Sequence, residues 1–130
     1  MAAPSPSLTP AAITAVQVQW RAALDSPTGL SDADRVDAIR ALEELVCTAT
    51  AAQAALAREL DASTRRAHAL SGLPASKRGA GVSAQIALAR RVSPHRGQRQ
   101  LGLAKIVPDE LPHTWAAWRA GSITEWKVTL

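Results

Sequence analysis

With 130 residues, 47% of them apolar, and neither Phe nor Tyr, this chain can close one small core but not several. Its Ala- and Leu-rich make-up favours helices over a sheet, and four tryptophans, Trp20, Trp115, Trp118 and Trp126, supply all the aromatic bulk. Lys and Arg number 15 against 11 Asp and Glu, and the single cysteine, Cys47, excludes an internal disulfide and a Cys-based zinc site.

Met1 to Pro10 is rich in Ala, Pro and Ser, without the cationic start and apolar run of a secretion signal. No apolar run is long enough to span a membrane, so no membrane partner and a cytoplasmic location are expected. Residues 1–8 read as a disordered tail and residues 9–130 as one helical domain. Thr9-Pro10 has the form of an N-cap followed by proline at the first helical position, which predicts a helix to about Leu24 with Ile13, Val16 and Trp20 at helical spacing. A loop follows over residues 25–29. Ser31 then caps a long helix, with Asp32 and Asp34 in the first turn where the dipole favours negative charge.

That helix is predicted to reach Leu70. Ile39, Leu42, Val46, Ala49, Gln53, Leu56 and Leu60 alternate by three and four along it, the spacing of a heptad seam. The seam fits either the spine of a bundle or a pairing surface for a second copy. Cys47, among Leu45, Val46 and Ala49, reads as a small core residue. Ser71 to Pro74 ends the helix, and the stretch on to Gly81 reads as a flexible basic loop. Short helices are then expected from Val82 to Arg91, from Pro94 to about Val107 with Ser93 as cap, and from Pro108 to Gly121. Ser122-Ile123-Thr124-Glu125 fits a capping box that opens a last helix. Trp115, Trp118 and Ile123, with Trp126 one turn on, are expected to cluster. The fold class is all-α: a multi-helix domain with a long spine helix and a helix-turn-helix-like pair.

Charge is distributed unevenly along this scaffold. Between Ala62 and Pro108 there is no Asp or Glu, yet nine cations occur: Arg65, Arg66, Lys77, Arg78, Arg90, Arg91, Arg96, Arg99 and Lys105. A one-signed block of this kind attracts polyanions at long range. It coincides with the helix pair Val82 to Val107, the arrangement in which a second helix enters a DNA groove. Arg96, Arg99 and Leu103 share one side of the second helix, with Leu101 and Ala104 roughly opposite. Its front half is polar and its back half apolar, so the front half reads as the part presented to double-stranded DNA. Arg96 and Arg99 are the main candidate contacts. Arg90, Arg91 and Lys105 would assist on phosphates, while Gln98, Gln100 and His95 are further candidates near base edges and backbone. Gly97 and Gly102 should weaken this helix.

Catalytic chemistry is not expected in this segment. His68, His95 and His113 are scattered, Asp32, Asp34 and Asp37 suit a helix start, and no strand precedes Gly79-Ala80-Gly81 to make a phosphate loop. No catalytic residue, metal ligand, cofactor or small-molecule ligand is therefore assigned.

The run Gly81-Val82-Ser83-Ala84-Gln85-Ile86-Ala87-Leu88-Ala89-Arg90-Arg91-Val92-Ser93-Pro94-His95-Arg96-Gly97 is followed by Leu101-Gly102-Leu103-Ala104, Leu111-Pro112-His113-Thr114 and Ala120-Gly121-Ser122-Ile123-Thr124-Glu125-Trp126. This ordered string resembles the actinobacterial 13E12 repeat family, over roughly Ser31 to Leu130 and best from Gly81 onward. The resemblance implies a helical module of the kind that precedes an HNH endonuclease domain. The catalytic histidines and metal ligands of that family lie downstream, so none is carried over to a residue here. It also implies a domain that continues beyond the equivalent of Leu130, in keeping with a final helix that has barely begun. Two alternatives stand beside a DNA-targeting module: a non-catalytic interaction module that dimerises through the long helix, and a decayed fragment of a mobile-element nuclease.

Overall fold

The computed structural model of the chain describes residues 6–25 and 29–130. Part of the expected tail, and residues 26–28 of the expected loop, lie outside them. Among the described residues all regular structure is helical: α1 (Pro10–Leu24), α2 (Asp32–Leu70), a 3-10 turn (Ala75–Lys77), α3 (Val82–Arg90), α4 (Pro94–Glu110), α5 (Pro112–Arg119) and α6 (Glu125–Val128). The all-α expectation holds. No helix among the described residues is long and apolar enough to cross a membrane.

Two compact units divide within α2, Met1–Ile39 and Arg40–Leu130. In the first, Thr9 Oγ1 accepts from the Ala12 N–H at 3.2 Å and Pro10 takes the first helical position, as the Thr-Pro pair predicts. Ser31 Oγ likewise accepts from the Asp34 N–H at 3.1 Å. Ile13, Val16 and Trp20 are all exposed, so their helical spacing does not mark a buried stripe.

The second unit holds the core. Ala51, Ala54, Ala104, Val107, Trp118 and Val128 form its buried cluster, with Ala57, Leu103, Trp115 and Ile123 packed against it. The inward face of α2 is therefore the small-residue stripe Cys47, Ala51 and Ala54, continued at Asp61. The larger seam residues Leu42, Val46, Leu56 and Leu60 are exposed. Small residues occupy the inward face, and the bulky Trp118 ring fills the volume beside them. Its indole N–H donates to Thr50 Oγ1 at 2.9 Å, which satisfies the polar end of a buried ring. Trp115 meets Trp118 edge-on at 5.7 Å between centroids. Trp126 does not join this cluster: it is 69% exposed.

The breaks between the later helices differ from the sequence expectation. α4 runs through Pro108 to Glu110, so Pro108 does not open a helix. Its missing N–H removes one backbone bond a turn from the helix end, where few such bonds remain to be lost. The break comes at Leu111, whose φ of −128° and ψ of 65° reflect the restriction imposed by the following Pro112. Asp109 consequently sits in the last turn of α4, where Arg58 of α2 donates to its Oδ2. At α6 the cap is Thr124, which accepts from the Lys127 N–H at 3.2 Å, rather than Ser122. Glu125 is thereby released from the expected capping box for a tertiary partner.

Gly121 combines two demands. It has φ +81°, and a Cβ there would lie 2.6 Å from the Glu44 carbonyl oxygen of α2. The turn after α5 can thus rest directly on the spine helix, and Thr48 Oγ1 donates to the Arg119 carbonyl at 3.0 Å beside it.

Candidate nucleic-acid interface

α3 and α4 are joined by the turn Arg91-Val92-Ser93. α3 closes with Arg91 in the left-handed region at φ 56°, while the Val92 N–H donates to the Ala87 carbonyl at 2.9 Å, the bond pattern that ends a helix and reverses the chain. α4 restarts at once because Ser93 Oγ accepts from the Arg96 N–H and Pro94 takes the first helical position. Where the two helices meet, a Cβ on Gly97 would lie 2.6 Å from the Ala87 Cβ and 2.8 Å from the Ser83 carbonyl oxygen. Gly97 is thus the contact that allows α3 and α4 to approach, whatever it costs in helix propensity.

The buried face of α4 is Gly97, Gln100, Ala104 and Val107. This corrects the expected division into a presented front half and an anchored back half: one whole face of the helix is anchored, from Gly97 onward. The other face of its front half carries His95, Arg96, Gln98 and Arg99, all exposed. Arg91 is exposed in the turn just before them.

The structure separates the sequence candidates into two groups. Arg90 turns inward: its Nη1 and Nη2 donate to Glu125 Oε2 and Oε1 at 2.7 and 3.1 Å, with side chains only 17% and 16% exposed. This bidentate pair ties the end of α3 to the start of α6 and engages both terminal nitrogens of Arg90. Gln100 is buried too; its Nε2 donates to Glu125 Oε1 at 3.4 Å, and its Oε1 has no partner among the described residues. Lys105 lies 3.7 Å from Asp61 Oδ2, which also accepts from Arg65 Nε at 2.9 Å. Acids from outside the basic block therefore fold back onto it. Among the described residues Arg66, Lys77, Arg91, Arg96 and Arg99 keep no carboxylate partner within 4.0 Å, whereas Arg65, Arg90 and Lys105 each have one.

The stretch after α2 is also more tightly held than a flexible loop. The Gly79 N–H donates to His68 Nδ1 at 3.1 Å, Arg78 Nε donates to the Leu73 carbonyl at 3.0 Å, and the Arg65 guanidinium packs against Gly79.

Arg96 and Arg99 line a groove of about 510 Å³ whose other walls are Ser93, His95, Gln100, Leu103, Glu125, Trp126 and Thr129. Its far side is the α6 region, so the exposed Trp126 ring faces the same space as the two arginines. The sequence pattern hides Trp126 as a surface residue because it sits at helical spacing from the apolar cluster. The one hint is its place in a short amphipathic segment between Glu125 and Lys127. Among the described residues no His, Cys, Asp or Glu group could hold a metal ion. No family model, no curated protein and no solved structure matches the chain.

Proposed function

We propose that this chain is a non-catalytic DNA-binding module that presents the front half of α4. Arg96 and Arg99 are its main contacts, and Arg91, His95 and Gln98 lie on the same exposed stretch. The observation that carries this reading is the contrast between inward and outward cations: Arg90 and Lys105 are drawn onto Glu125 and Asp61, while Arg96 and Arg99 project from a helix anchored on its opposite face. An unpaired guanidinium on a supported helix is available for phosphate or guanine without breaking an ion pair. The resemblance to the 13E12 repeat family adds an HNH nuclease as the expected companion, with this module placing it on DNA in the cytoplasm.

Binding of labelled duplex DNA across a salt series tests the reading, with the native chain set against Arg96→Glu/Arg99→Glu. Each phosphate contact contributes about −0.9 to the slope of log K against log salt, so loss of two contacts should flatten the slope by about 2. The variant should keep the native helical content and melting temperature, because both side chains are exposed. Equal binding and equal slope for the two proteins would refute the assignment.

A second reading rests on the exposed apolar face of α2. Leu42, Val46, Leu56 and Leu60 leave 37–57% of their surface to solvent and share the heptad spacing. A second copy of the chain is the occupant this reading requires.

A further inference from the structure

The proposed interface has a feature that duplex recognition does not need. Trp126 is a large apolar ring, 69% exposed, on the wall of a groove whose opposite wall carries Arg96 and Arg99. Of the other tryptophans, Trp118 is in the core cluster, Trp115 packs against it, and Trp20 is exposed at 43%, less than Trp126. Gln100 lines the same groove with a buried Oε1 that accepts no hydrogen bond among the described residues. Such an orphan acceptor costs free energy unless a ligand supplies a donor.

We infer that the groove between α4 and α6 takes an unpaired nucleotide of a single strand, with Trp126 as the stacking face for the base. Arg96 and Arg99 hold the flanking phosphates, and the Gln100 carbonyl oxygen accepts from an N–H on the base edge. The chemistry is that of general single-strand binders, a cationic track beside an aromatic platform, which tolerates sequence because every base has a π-face. The volume is within the range of about 300–1,000 Å³ usual for small-ligand sites, enough for one nucleotide. A base within a duplex cannot reach the ring without leaving its stack. This inference rests on the same α4 surface as the proposed function and names the form of nucleic acid it holds.

The test compares labelled single-stranded and duplex DNA of one sequence, using the full chain and the variants Trp126→Ala and Trp126→Phe. The single strand should bind more tightly than the duplex. Trp126→Ala should weaken single-strand binding by about 5- to 150-fold, the range for one base stacked on an aromatic ring, and leave duplex binding unchanged. Trp126→Phe should retain most of the affinity yet lose the tryptophan fluorescence quenching that single strands produce in the native chain. If Trp126→Ala binds single strands as the native chain does, or binding causes no quenching, the stacking site is wrong while duplex binding by α4 survives. If neither form of DNA binds near physiological salt, the proposed function fails and this inference with it.

Discussion

Replacing Gly97 and, separately, Gly102 with alanine makes one chemical change at two points of the same helix and should give opposite signs. In an open helix position Gly→Ala stabilises by about 1 kcal/mol, because alanine loses less backbone freedom on folding. Gly102 is such a position: nothing lies within 4 Å of the site its Cβ would occupy. At Gly97 the new methyl would lie 2.6 Å from the Ala87 Cβ and 2.8 Å from the Ser83 carbonyl oxygen. Backbone cannot step aside as a side-chain end can, so α3 must shift bodily or its contacts must be lost. Overpacking costs about 1–3 kcal/mol, and two approaches this short belong at the upper end. After the propensity gain, Gly97→Ala should destabilise by about 1–2 kcal/mol. Gly102→Ala should stabilise by up to about 1 kcal/mol. Urea unfolding reads both differences directly, and thermal melting should place the variants on opposite sides of the native chain, at about 4–8 °C per kcal/mol for a domain near 100 residues. If Gly97→Ala is as stable as Gly102→Ala, the close approach of α3 and α4 is not real and the support for the exposed α4 face goes with it.

Two further outcomes are expected. Arg90→Ala leaves the mostly buried Glu125 carboxylate without its partner and should cost about 3 kcal/mol in urea unfolding, toward the low end for buried pairs, whereas Arg90→Leu/Glu125→Leu should recover most of that. A loss of DNA affinity with no loss of stability in Arg90→Ala would instead make Arg90 a phosphate contact. If the exposed face of α2 pairs two copies, the native chain should sediment as a dimer, and Leu42→Glu or Leu56→Glu as a monomer. The substitutions should change the single chain's own stability by only about 0.5 kcal/mol, because both side chains are exposed. A native chain that stays monomeric at all concentrations refutes the pairing.

Much of the candidate site is legible in short-range sequence patterns. The α3–turn–α4 arrangement, the exposure of Arg96 and Arg99, and the front-half position of His95 and Gln98 all follow from neighbouring residues. That Arg90 and Gln100 are drawn onto Glu125 was not legible, because this partner is 35 and 25 residues away along the chain. Leu42 and Leu56 look inward by hydrophobicity, yet small neighbours such as Ala51 and Ala54 take the core face.

Helix class and most helix starts were determined by the sequence itself. Thr9-Pro10, Ser31 and Ser93-Pro94 act through hydrogen bonds that span three residues, so no distant part of the chain can redirect them. Tertiary structure alone decided which face of α2 lies inside, which cations remain unpaired, and that Trp126 faces a groove while Trp118 fills the core. Those outcomes depend on how closely helices can approach and on partners remote in sequence. Such terms are set by shape and by the positions of Gly97, Gly121 and Glu125 in space, and no periodicity along the chain encodes them.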